Sequence, residues 1–367
     1  MLDANQVALE LASEAPRKPF RFTNGDFEND VGSVSPMKLV ELAVLFWLSA
    51  RGMEEKGELD DALRQYELAM RTACHIAHAP VSRHGFVESI VETTTFKRIL
   101  AWAARPNQTS ERIKKAIALL DALEREFPGP LPLLSLEIRQ ARHQVETFWS
   151  NGGEPDKNTN GEHVHGILAW LPWEKFRTLR LMNQSFDAAA REAKNLENQL
   201  TQSFAGPCRV HSWSAAVYGN NGPSIRPPGL TDAAENVIQA YVERVRDFRA
   251  RKVQLALLAW KAEHGELPAT LDVLVGSYFE TLPIDPYSGE PFFYVRDGLE
   301  IENKQIPPPV RPGQAFLWSG GENQEKLLPQ STADGDSRQY FIVDALGRIV
   351  HGNALGIAFP LPREMGK

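Results

Sequence analysis

Two neighbouring stretches decide the fold, EHGELPATLDVL at residues 263–274 and LPIDPYSGEPFFY at residues 282–294. Glycine tolerates the left-handed conformation that commonly ends a helix, so Gly265 predicts a helix end. Proline suits the first turn of a helix, so Pro268 predicts that a short helix follows. The sequence DPYSG at residues 285–289 contains the residue types of a turn. Together they predict a long helix, a short helix and then a turn into a strand.

The residues on either side extend this pattern. Upstream, Asp232 and Glu235 form a capping pair that predicts the start of a helix running to Gly265. Its apolar residues recur at helical spacing; the stripe includes Val237, Ile238, Tyr241, Val245, Phe248, Leu255, Leu258 and Ala259. Downstream, short apolar runs bounded by Gly, Pro or Asp predict strands; these runs are residues 292–295, 315–318 and 340–343.

The first 150 residues predict helical hairpins after a Pro- and Gly-containing lead-in at residues 16–36. One face of the first helix carries Leu39, Leu42, Ala43, Phe46, Trp47 and Ala50. The sequence GELDDALRQYELA at residues 57–69 resembles the turn and second helix of a tetratricopeptide repeat. A weaker copy at residues 116–123 lies too far along the chain for the ~34-residue repeat of true arrays. The residues expected to pack in the first hairpin are Leu59, Ala62, Tyr66 and Ala69, against Phe46 and Trp47.

Residues 151–230 are predicted to connect this region to the last one. Residues 151–162 are almost free of apolar side chains and predict a loop. Pro172 suits the first turn of a long helix that Gly206 and Pro207 end; its stripe is Phe176, Leu179, Met182, Phe186, Ala190, Ala193, Leu196, Leu200 and Phe204. The predicted division is a helical-hairpin domain at 1–150, a loop and connecting helix at 151–230 and an α+β module at 231–367. The predicted fold class is α+β, predominantly α.

The stretch from Glu263 to Tyr294 resembles the end of the long helix and the following loop of the major pseudopilins of type II secretion. In that family a long helix ends at a glycine, a short helix begins at a proline, and an Asp-Pro turn leads into a small sheet. The resemblance implies that the long helix is packed on a small antiparallel sheet. The strand residues expected to meet its stripe are Phe293, Phe316, Trp318 and Phe341.

Further stretches across nearly the whole chain resemble an uncharacterised planctomycete-type family. They are FRF at 20–22, the hairpin at 57–69, PPGLT at 227–231 and FPLP at 359–362. Its members carry an N-terminal membrane helix before a helical region and a pseudopilin-like end, which implies a membrane-anchored, periplasmic protein. The longest apolar stretch here, Leu39 to Ala50, is too short to span a bilayer. We therefore expect membrane attachment only through an N-terminal anchor that is absent from this chain.

Charge and cysteine usage narrow the classes of partner. The chain has 47 acidic and 40 basic residues and a formal net charge of −7, which argues against nucleic acid or an anionic membrane as the main partner. Cys74 and Cys208 stand in unrelated contexts, so they indicate neither a disulfide framework nor a thiolate zinc site. The expected partner is another protein or a second copy of the chain.

A calcium site is the one metal site that the pseudopilin resemblance raises. Major pseudopilins bind calcium in a late loop between strands, and the corresponding stretch here is longer and differently spaced. Calcium needs six to eight converging oxygen ligands, which Glu322, Asp334 and Asp336 supply only in part. We therefore expect a solvated acidic loop and no bound cofactor, with calcium at these three residues as the alternative.

One motif suggests catalysis, because Ser35 and Lys38 match the S-x-x-K pattern of serine acyl-transfer enzymes and Tyr218 could supply their tyrosine. A pattern that fixes two positions arises by chance in a chain of this length, and Ser35 is explained as a helix N-cap before Pro36. We expect no catalytic residue. Histidines at 75, 78 and 84, and at 163 and 165, resemble metal-ligand spacing only weakly, and surface or hydrogen-bonded roles are favoured.

Three classes of function follow. The first is a non-catalytic interaction or cell-envelope assembly protein related to the pseudopilin-like proteins of type II secretion. The second is a serine hydrolase or acyl-transfer enzyme that uses Ser35 and Lys38. The third is a module that binds a peptide or a small molecule in the groove between helices. The resemblance favours the first, and this inference rests on fold analogy.

Overall fold

A computed structural model describes residues 36–78, 81–150, 172–201, 230–297, 315–319, 342–343, 348–351 and 354–360. The seven α-helices within these ranges are α1 (Pro36–Lys56), α2 (Leu59–Ala77), α3 (Val81–Ala103), α4 (Ser110–Glu126), α5 (Pro130–Ser150), α6 (Pro172–Thr201) and α7 (Leu230–His264). A 3-10 helix at Leu271–Leu274 follows. The strands are β1 (Phe293–Val295), β2 (Phe316–Ser319), β3 (Ile342–Val343), β4 (Arg348–His351) and β5 (Ala354–Pro360). The fold is predominantly helical with a small antiparallel sheet, as the sequence predicts.

Helices α1 and α2 form the predicted hairpin. The chain reverses at Gly57, whose φ of 81° lies in the left-handed region that favours glycine. The six residues expected at this contact are all buried, namely Phe46, Trp47, Leu59, Ala62, Tyr66 and Ala69. Two indole N–H groups fix α3 on the hairpin, because Trp47 donates to the Thr95 hydroxyl and Trp102 donates to the Leu59 carbonyl, both at 3.0 Å. The periodicity therefore identified this core correctly.

Replacing Ala62 with a larger residue tests how closely α1 and α2 pack against each other. Ala62 is fully buried, so Ala62→Leu adds atoms to a filled interface. We expect a loss of about 1–3 kcal/mol in the free energy of unfolding, measured by urea denaturation. Ala101→Leu, at an exposed position of α3, is the matched control and should be nearly neutral. Equal stabilities of the two variants would contradict the close α1–α2 contact.

Helix α7 takes part in two hydrophobic cores. Its first half, with residues such as Val237, Val242 and Val245, packs with α5 and α6. From Phe248 onward its residues share a core with α1 to α4. There the Phe248 ring meets Phe96 and Phe127 edge to face, with centroids 5.0 and 5.4 Å apart. The predicted stripe is buried except at Tyr241, which is partly buried, and one core continues across the predicted boundary at residue 231.

The sheet has the strand order β1-β2-β5-β4-β3, and all its pairs are antiparallel. In the register of β2 and β5, Leu317 lies opposite Phe359. Strands β1 and β3 fall within predicted runs, β2 extends one residue beyond its run, and β4 and β5 were not predicted. Helix α7 contacts β2 and β5, although it packs more extensively on α4 and α3.

The predicted contact face of the strands is wrong by one residue. Phe292, Ala315 and Leu317 share the core with α7, whereas Phe293 and Trp318 lie against each other with centroids 5.6 Å apart. Because successive side chains in a strand point to opposite faces, a shift of one residue exchanges the two faces. The side chain of Phe316 and all of Phe341 lie outside the described residues.

Two helix predictions also need correction. Phe176 was placed on the buried stripe of α6, but it is 71% exposed, and the buried stripe begins at Thr178 and Met182. Helix α7 begins at Leu230, two residues before the predicted start at Asp232, whose side chain lies outside the described residues. Pro172 does occupy the first position of α6, as predicted.

Candidate functional site

The residues of the predicted catalytic and calcium sites lie almost entirely outside the described part of the chain. Lys38 is exposed near the start of α1, whereas Ser35 and Tyr218 lie outside the described residues. The same holds for the calcium candidates Glu322, Asp334 and Asp336. Both sites therefore stay untested hypotheses.

The structure places His75 and Cys74 within α2 and His78 immediately after it. The His78 Nδ1 lies 2.8 Å from the Cys74 carbonyl oxygen, which is a local contact at the helix end. Burial raises the pKa of the Cys74 thiol to about 12, so this cysteine stays protonated at neutral pH. Within the described ranges, no cluster of three or more His, Cys, Asp or Glu side chains is arranged to hold a metal ion. The side chain of His84, and His163 and His165 entirely, lie outside those ranges.

A buried ion network joins α3 to α7, and we refer to Glu88, Glu92 and Arg244 as the Arg244 cluster. The Arg244 Nη2 donates a hydrogen bond to Oε1 of Glu88, and its Nε lies 3.5 Å from Oε2 of Glu92. The guanidinium carbon also lies 4.9 Å from the ring centroid of Phe127, at the end of α4. All three charged side chains are buried. The cluster therefore holds three helices together from the inside.

The protonation of the Arg244 cluster follows from its burial. Burial raises the pKa of Glu92 well above its ordinary value of 4.5; the positive charge of Arg244 opposes this rise and the negative charge of Glu88 adds to it. Burial on its own would lower the pKa of Arg244, but Glu88 and Glu92 outweigh it and the pKa rises. The guanidinium thus stays charged while one of the two carboxyl groups tends to keep its proton.

This arrangement predicts a pH dependence that Glu92→Gln should remove. Because the folded-state pKa of Glu92 is raised, the associated stability is complete below 4.5 and is lost as pH rises through the raised pKa. We expect the free energy of unfolding to fall between about pH 5 and about pH 8 by more in the wild type than in Glu92→Gln. Urea denaturation at both pH values measures this difference.

The control for this experiment is Glu111→Gln, at an exposed position of α4. It makes the same chemical change without touching the cluster, so its pH profile should follow that of the wild type. If Glu92→Gln and Glu111→Gln respond to pH in the same way, the proton on Glu92 is not linked to folding.

A second polar network fastens the predicted Asp-Pro turn to the helices and the sheet. Asp285 is fully buried, and its Oδ1 accepts hydrogen bonds from the Tyr287 N–H at 3.2 Å and the Ser319 hydroxyl of β2 at 3.0 Å. Arg249 of α7 donates to the carbonyls of Ile284 and Leu200, at 2.9 and 2.8 Å. The turn is therefore tied to α6, α7 and β2 at once.

Among the described helices, α6 and α1 each carry more than one exposed large apolar side chain. On α6, Trp173 is 61% exposed and Phe176 is 71% exposed, and exposed Arg180 lies on the same helix face. On α1, Met37, Val44 and Leu48 point away from the buried face of that helix. Exposed apolar groups among charged ones are typical of protein interaction sites.

The two kinds of candidate differ in what they can do. The two buried networks connect helices, and the burial of their carboxyl groups separates them from solvent. The exposed side chains of α6 and α1 are accessible from solvent. The Arg244 cluster was not predicted from the sequence, although a signal exists: Glu88 and Glu92 continue the buried stripe of Thr95, Phe96 and Ile99 at helical spacing.

Comparisons with protein-family models, with curated proteins and with solved structures found no match. The described helices include none with both the length and the hydropathy that a bilayer crossing requires.

Proposed function

We propose that this chain is a non-catalytic interaction protein that takes part in assembly at the cell envelope and binds a protein partner through α6. The observation that carries the proposal is the exposure of Trp173 and Phe176. Tryptophan is enriched among the residues that dominate binding energy at protein interfaces, since a large rigid ring buries much apolar area at little entropic cost. We refer to Trp173, Phe176 and Arg180 as the α6 surface.

The charges of the α6 surface suit a protein partner. Arg180 lies one turn beyond Phe176 on the same face, and arginine is enriched in interfaces together with aromatic residues. Further along α6 the exposed positions are polar, for example Arg191 and Lys194. The apolar region is thus confined to the first turns of the helix.

The element order after residue 230 supports the part of the proposal that concerns the envelope. Helix α7 ends at His264 and is followed by Gly265 with φ 82°, then comes a 3-10 helix, and Gly289 with φ 71° closes the turn before the antiparallel strands. This is the order that the pseudopilin resemblance implies. The contacts of α7 with β2 and β5 agree with it, and its packing on α3 and α4 is an addition to that pattern.

Photo-cross-linking from the α6 surface tests the proposal. A photoreactive amino acid at position 180 should capture a defined partner, whereas the same group at position 191 should not. Trp173→Ala combined with Phe176→Ala should weaken binding of that partner by about tenfold or more. Arg191→Ala combined with Lys194→Ala is the matched control on the same helix and should bind like the wild type.

Two results would contradict the proposal. The first is a partner set that is unchanged by the loss of both aromatic residues. The second is covalent labelling of Ser35 by a fluorophosphonate or penicillin probe that disappears in Ser35→Ala, because this would favour the serine acyl-transfer alternative.

A further inference from the structure

We propose that the outward face of α1 docks on the same face of a second copy of this chain, with the two helices antiparallel. This deepens the proposed interaction function by naming one partner, and it concerns a surface separate from α6. The outer face of α1 consists of the exposed residues Met37, Glu41, Val44, Leu48, Arg51 and Glu55.

The spacing of the outer face is that of a helix-pairing seam. Its residues follow one another at steps of four and three, which keeps them in one row along the helix. Val44 and Leu48 stand at its centre and are 38% and 44% exposed. The opposite side of α1 already buries Ala43, Phe46 and Ala50 in the core. The apolar side chains at the centre of the outer face therefore take no part in the core of a single chain.

The outer face is complementary to itself about the level of Phe46. In an antiparallel pair related by a twofold axis at that level, residues equally far before and after Phe46 lie opposite each other. Val44 then meets Leu48 of the second copy, and Glu41 meets Arg51. Each contact occurs twice because of the twofold axis, so one pair of opposite charges lies on each side of the apolar centre.

Charge also decides the orientation. In a parallel pair, Glu41 would lie opposite Glu41 and Arg51 opposite Arg51, so both contacts would be repulsive. Within one chain Arg51 already lies 3.4 Å from Glu55, which holds the guanidinium on the outer face. One exposed helix is a small interface, so the dimer should be reversible and dependent on concentration.

Charge exchange tests the pairing by sedimentation equilibrium of the full chain. Glu41→Arg and Arg51→Glu should each weaken the dimer by about tenfold or more, because each replaces two attractive contacts with two repulsive ones. The combined variant Glu41→Arg/Arg51→Glu restores opposite charges and should dimerise within about threefold of the wild type. Leu48→Glu should abolish dimerisation, since it places charge at the apolar centre.

Two controls make the result specific. Lys38→Glu reverses a charge at an exposed position of α1 that lies off the outer face, and its dimer should be unchanged. Trp173→Ala/Phe176→Ala should dimerise like the wild type, so failure of the α6 proposal and failure of the dimer are distinguishable. Melting temperatures confirm that each variant is folded, which is expected because the altered side chains are exposed.

A chain that stays monomeric overturns the proposal, and so does a dimer that is insensitive to Leu48→Glu and to both single charge reversals. A monomer in which a photoreactive group at position 48 cross-links to residues 1–35 of the same chain would contradict it, because the outer face would then be occupied within one chain. Capture of a different protein on Leu48 in place of a second copy would also overturn it.

Discussion

Replacing Arg244 with leucine is expected to destabilise the fold by about 3–5 kcal/mol. The substitution leaves Glu88 and Glu92 buried on α3 without the cation that both of them face. It also removes the contact of the guanidinium with the Phe127 ring. Urea denaturation at neutral pH measures the loss as a lower transition midpoint with an unchanged slope.

Removing the carboxylates together with the arginine separates charge from packing. In Arg244→Leu/Glu88→Gln/Glu92→Gln no charge of the cluster remains, so a large part of the lost stability should return, because no ionised side chain is left buried without a counter-ion. Arg191→Leu, at an exposed position of α6, is the matched control and should change stability by less than about 0.5 kcal/mol. If the triple variant is no more stable than Arg244→Leu, the damage comes from lost packing around the guanidinium.

The helical part of the fold was predictable wherever the pattern is periodic and local. Ala62 and Ala69 stand seven residues apart on one helix face, and this spacing is enough to predict that both are buried. The same reasoning failed at Phe176, because periodicity gives the direction of a side chain and does not show where the neighbouring helices end. The first turns of α6 lie outside its buried region, so their apolar residues follow the helical spacing but stay exposed.

The sheet and the Arg244 cluster were harder to predict, for different physical reasons. The run AFLW at residues 315–318 has large apolar residues on both faces, so alternation does not distinguish the face of Leu317 from that of Trp318. Arg244 pairs with Glu88 across 156 residues of chain, and no local rule connects two charges at such a separation. The exposure of the α6 surface was hard to predict for a similar reason, because the exposed fraction of a side chain depends on which helices pack around it in the assembled fold.

Leu255→Asp is expected to abolish cooperative folding of the whole chain. Leu255 of α7 is fully buried, in a core that also includes Phe248, Trp102 and Leu317. An unpaired carboxylate at this position must either stay charged in an apolar environment or take up a proton, and both cost more than the stability of a typical domain allows. Val273→Asp, at an exposed position of the 3-10 helix, introduces the same charge and should remain folded.

Hydrogen exchange of Leu255→Asp also tests whether the C-terminal module is independent. If residues 231–367 fold separately from residues 1–150, peptides from α2 and α3 should stay protected while those from α7 and β2 exchange rapidly. Because the second half of α7 lies in one core with α1 to α4, we expect α2 and α3 to lose protection together with β2. Retained protection of α2 and α3 would instead support a helical-hairpin domain that is stable without α7. The exchange rate of the peptide around Trp102 distinguishes the two outcomes, because its side chain is buried in that shared core and donates a hydrogen bond to the Leu59 carbonyl.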